Sequence, residues 1–171
     1  MSLRDQLRTL RRLRPAVVAL SLLAVASLAR AAQVTTQFTV QITVAASCAI
    51  VSAPTLDFGS QVIFSSNIDQ TSDIQIQCTN TLPYTIGLDP GTGSGATVGS
   101  RLMTNGSNTI SYSLYSDSSR TLVWGQTIGT DTVSATGNGS AQDFTVYGRV
   151  FAQPTPAAGT YADTITVTVT Y

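Results

Sequence analysis

From Gln33 to Val44 the chain reads QVTTQFTVQITV, and apolar or methyl-bearing positions alternate with polar ones. Val34, Thr36, Phe38, Val40, Ile42 and Val44 share one parity; Gln33, Thr35, Gln37, Thr39, Gln41 and Thr43 share the other. Alternation with period 2 over twelve residues predicts an extended strand with one apolar or methyl-bearing face. No turn signal follows that would fold this strand back on a neighbour. The chain's last segment repeats the pattern: Ile165, Val167, Val169 and Tyr171 alternate with Thr164, Thr166, Thr168 and Thr170.

Between these ends the chain is a succession of short runs rich in β-branched and aromatic residues. LDFGSQVIF (56–64), SDIQIQC (72–78), LPYTIGLD (82–89), NTISYSLYSD (108–117), RTLVWG (120–125), DFTVYGRVF (143–151) and YADTITVTVTY (161–171) are the predicted strands. GTGSGATVGS, TVGSRLMTNGS and TGNGSA read as turns between them. No window carries a helical period, and no linker or repeat divides the chain. The pattern predicts one all-β sandwich of about seven strands.

The residues before the first strand bear on compartment. Arg4, Arg8, Arg11, Arg12 and Arg14 precede an uncharged run from Ala16 to Ala29, and Ala29-Arg30-Ala31-Ala32 follows. A basic region, an apolar region and small residues at a cleavage point predict a secretory signal peptide over residues 1–31, cut after Ala31 or Ala32. The apolar run is fourteen residues, short of the ~20 that a membrane-spanning helix needs. Export to the cell exterior is the expectation.

Cleavage changes the charge balance. Six of nine arginines leave, so Arg101, Arg120 and Arg149 face eight aspartates, a net charge of −5. Nucleic acid is an unexpected partner for such a chain, because phosphate neutralisation depends on Lys and Arg. The sequence contains no His, Lys or Glu. The usual general bases, Schiff-base amines and zinc ligands are therefore missing, and no catalytic residue, metal ligand or cofactor site is expected. Cys48 and Cys78 are an even pair in an exported chain and read as a disulfide, with a reactive thiol pair as the alternative.

Short motif matches fail in context. Gly91-Thr-Gly93-Ser-Gly-Ala96 fits a loose dinucleotide pattern, but no helix follows it. Asp57-Phe58-Gly59 spells a kinase metal motif without the other kinase elements, so Phe58 reads as a core residue before a turn. Asn105-Gly-Ser107 and Asn138-Gly-Ser140 are glycosylation sequons that read more simply as turns.

The first strand raises an energetic difficulty. Burying Val34, Phe38, Val40, Ile42 and Val44 contributes ~1.5–3 kcal/mol each, while ordering backbone costs ~1–2 kcal/mol for every residue. The segment cannot order itself alone. It needs a groove that takes its apolar face and supplies ladder hydrogen bonds, as in strand addition between subunits. In an ordinary sandwich, by contrast, both terminal strands would pair internally.

The order of elements resembles the spore coat protein U domain family, which includes the pilus subunits of archaic chaperone–usher systems. The resemblance rests on Ser47-Cys48-Ala49-Ile50, Leu56-Asp57-Phe58-Gly59, Ile74 through Cys78, Pro83-Tyr84 through Gly91, Ser111 through Tyr115, Arg120-Thr121, Trp124-Gly125, Val146 through Arg149, and Gly159 through Asp163 ahead of TVTVTY. It implies an immunoglobulin-like sandwich over residues 45–171 that lacks its final strand, with residues 32–44 as a donor-strand segment. It further implies a periplasmic chaperone docking on the edge formed by Ile165, Val167, Val169 and Tyr171, an outer-membrane usher, and a polymer of identical or related subunits in a surface pilus for adhesion or biofilm formation. A spore-coat or matrix protein of the same fold is the alternative within the family. Outside it stand a monomeric carbohydrate-binding module with Tyr112, Tyr115 and Trp124 as a stacking platform, and an aspartate-based hydrolase.

Overall fold

The computed structural model describes residues 31–171. The expected signal peptide lies outside the described residues except for its last position. The chain divides into two units between Gln41 and Ile42. In the first, residues 31–41 form no strand and every side chain is exposed. The second carries eight strands: β1 (Cys48–Ser52), β2 (Ile68–Cys78), β3 (Pro83–Leu88), β4 (Arg101–Asn105), β5 (Asn108–Tyr115), β6 (Val133–Thr136), β7 (Ala141–Val150) and β8 (Val167–Thr170).

Two antiparallel sheets face one another. The larger runs β1-β2-β7-β5-β4 and the smaller β6-β3-β8. Alternation sets the faces: Ile74, Ile76 and Cys78 of β2, Tyr84, Ile86 and Leu88 of β3, and Val146 and Val150 of β7 are buried between the sheets. The outward face of β2 and β7 is a polar ladder. Arg149 donates from Nε and Nη2 to the two carboxylate oxygens of Asp69, each at 2.8 Å, and Thr145 Oγ1 donates to Asp73 at 2.6 Å. Cys48 and Cys78 are directly opposite in the β1–β2 register and form a disulfide with Cα atoms 4.1 Å apart.

Several predicted strands are corrected. LDFGSQVIF is not a strand, because Leu56 and Phe58 cross the core face of the larger sheet at Gly148. A Cβ on Gly148 would sit 2.9 Å from both side chains, so only glycine admits them. Phe58 packs edge-on to Tyr112, as a core residue before the Gly59 turn. RTLVWG holds only an isolated bridge, Tyr115 to Val123, because its chain is wrapped around the Asp117 carboxylate, which accepts from Thr121 N, Thr121 Oγ1 and Leu122 N. TVGSRLMTNGS, read as a turn, contains β4, and its true turn is the two-residue Gly106-Ser107 connection between Asn105 and Asn108. Gly106 sits there at φ 58°, the left-handed value this position requires.

The stacking platform is also overturned. Tyr112, Tyr115 and Trp124 are only 4%, 7% and 1% exposed, and Trp124 Nε1 donates to Ile86 O at 2.9 Å. They fill the core and present no ring to a sugar.

Among the described residues, Arg101 is the one fully buried charge. Its guanidinium donates to Asp89 O (2.9 Å), Val98 O (2.7 Å), Leu88 O (3.0 Å) and Trp124 O (2.8 Å). Four carbonyls from three chain segments thus share one donor group, and burial pushes its pKa down. Arg101→Met should leave these carbonyls without partners at ~1–3 kcal/mol for each that stays dry. The expected result is a loss of at least ~3 kcal/mol in urea unfolding; a loss below ~1 kcal/mol would show that water replaces the guanidinium freely.

Candidate functional site

β8 pairs with β3 along one edge, with Thr85 opposite Thr170 and Leu88 opposite Val167. Along its other edge no strand is paired among the described residues, and β8 closes the three-stranded sheet there. β1 likewise ends the five-stranded sheet, with only β2 beside it. Five strands therefore lie against three, and the smaller sheet leaves part of the core uncovered on the β8 side. The side chains record this. Ile165, Val167 and Val169 pack against the core yet are only half-buried, while Tyr171 is exposed. Thr164, Thr166, Thr168 and Thr170 point to solvent, as the alternation requires.

The strand predicted over residues 161–171 is regular only at its end. Ala162 makes a two-way backbone bridge with Thr104 of β4, and β8 then joins the opposite sheet at Val167. The chain switches sheets between these points, and polar anchors hold the corner. Asp163 Oδ2 accepts from Tyr112 Oη at 2.8 Å, and Asp163 Oδ1 accepts from Thr92 N and Thr92 Oγ1 at 2.8 Å. Burial, reinforced by this carboxylate, pushes the Tyr112 hydroxyl strongly upward, so it stays a proton donor. Asp89 Oδ1 accepts from Gly91 N at 3.0 Å and Thr166 N at 2.9 Å. Burial works against its ionised form, but the bonds from Thr166 and Gly91 and the charge of Arg101 prevail and hold its pKa below the usual value. The open-edged strand is thus fixed at its start by two buried or half-buried carboxylate clusters. Among these, Asp163 and Asp89 lie in stretches legible as part of the family pattern, whereas Arg101 carries no signal in sequence beyond being one of three cations after Ala32.

The predicted donor residues lie elsewhere in character. No strand is assigned over residues 31–47, and Val34, Phe38, Val40, Ile42 and Val44 are between 74% and 95% exposed. Thr36 is exposed as well. Exposed apolar rows of this length are uncommon on soluble domains. Among the described residues the chain therefore combines a sandwich whose β8 edge is unpaired and half-covered with an alternating segment whose apolar side chains are exposed. No group of three metal-ligating side chains occurs among the described residues. No helix among the described residues is long and apolar enough to cross a membrane.

These features define an immunoglobulin-like sandwich, and the comparisons with known proteins agree on that fold. The Spore Coat Protein U domain model matches residues 34–168, and the chain belongs to that family. It is 36% identical over 171 residues to Protein U of Myxococcus xanthus, covering 91% of this chain and 95% of the relative. Among solved structures it resembles the CsuC–CsuE chaperone–tip adhesion subunit pre-assembly complex from archaic chaperone–usher Csu pili of Acinetobacter baumannii, at a TM-score of 0.56 and 26% identity. That match covers 75% of this chain and 40% of the other, so this chain spans less than half of the protein it matches there.

The depressed pKa of Asp89 has a pH consequence. A folded-state pKa below the unfolded value of ~3.9 stabilises fully above that value and is lost as pH falls through the folded one. The urea midpoint of the wild type should be flat from about pH 7 to 5 and fall below about pH 4. Asp89→Asn should start lower at pH 7 and show a shallower acid decline; an unchanged acid slope would remove Asp89 from the account.

Proposed function

We propose that this chain is a structural subunit of a secreted surface fibre, assembled by a chaperone–usher route through donor-strand exchange. The observation that carries the reading is the coexistence of the two unsatisfied halves: the half-covered β8 edge and the exposed alternating segment at 34–44. Val34, Thr36, Phe38, Val40, Ile42 and Val44 of one subunit enter the groove beside β8 of another. Their apolar side chains cover Val167 and Val169, and their backbone supplies the ladder that β8 lacks. Before assembly a periplasmic chaperone lends a strand to the edge at Ile165, Val167, Val169 and Tyr171, and an outer-membrane usher exchanges it for the next subunit's arm. The fold resemblance to a chaperone-bound pilus subunit supports the chaperone step. Export by the signal peptide, localisation to the cell surface and a role in adhesion or biofilm formation belong to the same reading.

The family's description favours a second reading, in which the same exchange builds a spore coat or matrix. The two differ in the product and share the chemistry of the subunit contact.

The test is a substitution on the arm. Val40→Asp would bury an unpaired carboxylate in the groove, at several kcal/mol. Purified wild-type subunits should give SDS-resistant ladders that collapse on heating. Val40→Asp should abolish those ladders as donor while leaving a soluble, disulfide-bonded subunit, and Thr39→Asp on the polar face should be milder. Ladders that persist with Val40→Asp would refute the exchange.

A further inference from the structure

Two uncharged apolar features lie at opposite ends of the sandwich; the first stands clear of the strand edge, and the second borders it through Thr170 and Tyr171. β2 runs from Ile68 to Cys78, and β7 returns from Ala141 to Val150. At the Ile68–Val150 end is the loop 53–67. It is anchored there by buried Phe64, whose carbonyl accepts from Gln153 N at 2.9 Å. Its tip, Val62-Ile63, is 84% and 67% exposed, two adjacent β-branched aliphatic side chains in water. At the Cys78 end, where β3 begins and β6 finishes, the outer face of the smaller sheet holds an open depression of about 520 Å³. Pro83, Thr85, Ile128, Ser134, Thr136 and Tyr171 are among the residues that line it, and no charged side chain does.

A knob at one end and a socket at the other cannot meet within one molecule. They suit a head-to-tail contact, which propagates into a filament when its rotation does not close. The occupant is further narrowed by charge. The described residues carry eight aspartates and three arginines, yet neither patch contains one of them, so each is the surface least penalised by contact with a like-charged copy. The chain enters β1 at Cys48, on the same end as the depression. A subunit whose preceding segment reaches into its neighbour's groove therefore turns its socket end toward that neighbour.

We propose that the Val62-Ile63 tip of one subunit seats in the depression between Ile128 and Tyr171 of the next copy, as a second contact that sets the angle between successive subunits. It rests on the strand-exchange reading, and the experiment separates the two. Cys48 and Cys78 are already bonded, so Val62→Cys with Ile128→Cys adds one thiol at each end of an otherwise native chain. After mild oxidation of the assembled polymer, ladders should survive boiling in SDS without reductant and collapse to monomer when reductant is added. Val62→Cys paired with Ser118→Cys should give at least tenfold less crosslinked product. Ladders that are present before boiling but collapse without reductant overturn this contact and leave strand exchange standing. Equal crosslinking through Ser118→Cys also overturns it. Subunits that give no ladder even unboiled remove strand exchange and this contact together.

Discussion

An unpaired strand edge is expensive to hold open, and β8 is held open. Its backbone groups on one side have no ladder partner among the described residues, and its apolar side chains are half in water. A free strand in that condition tends to fray or to pair with whatever strand it meets. The chain counters fraying with polar anchors at the strand's start. Asp163 is tied to Tyr112 and Thr92, Asp89 to Thr166 and Gly91, and Arg101 to the carbonyls of Leu88 and Asp89. These bonds fix β8 in direction and register while leaving its outer edge unoccupied. Specificity of this kind comes from geometry that apolar packing alone would not impose.

The legible part of the fold was the part governed by alternation. The β2, β3, β5 and β7 cores were visible because Ile74, Ile76, Tyr84, Ile86, Tyr112, Leu114, Val146 and Val150 recur at period 2 and are buried for that reason. The polar ladder outside β2 and β7 follows from the same parity. Failures occurred where a residue's partner is remote. β4 hides in a glycine-rich stretch because its defining side chain, Arg101, looks like a surface cation until four carbonyls, three of them more than ten residues away, surround it. Conversely, Leu56, Phe58 and Trp124 look like strand residues but serve as plugs, because a three-stranded sheet leaves the larger one short of cover. No local pattern reports how many strands the opposite sheet will have.

The candidate site divides along the same line. The apolar rows at 34–44 and 165–171 are sequence facts, and so is their mutual resemblance. The identity of β8 as an edge is not, since alternation is the same for an edge strand and a central one. The Asp163 corner is likewise invisible locally. It exists because the chain leaves β4 at Ala162 and joins β3 at Val167, a change of sheet within five residues that needs side-chain acceptors for the backbone groups it strands.

The unusual side-chain inventory fits this use of backbone. With no His, Lys or Glu in the sequence, the three arginines among the described residues are committed inside the domain: Arg101 to carbonyls, and Arg120 and Arg149 to Asp69. A free side-chain cation is therefore not what the described surface offers. Strand pairing and apolar cover remain, and both are nearly independent of pH and salt, unlike exposed ion pairs. An edge that recognises only extension and alternation would accept many strands. Under the proposed strand exchange, discrimination then has to come from the shape of successive pockets along the groove, and the apolar parity from Val34 to Val44, with Thr36 as its one polar member, is more informative for that reading than any charged residue.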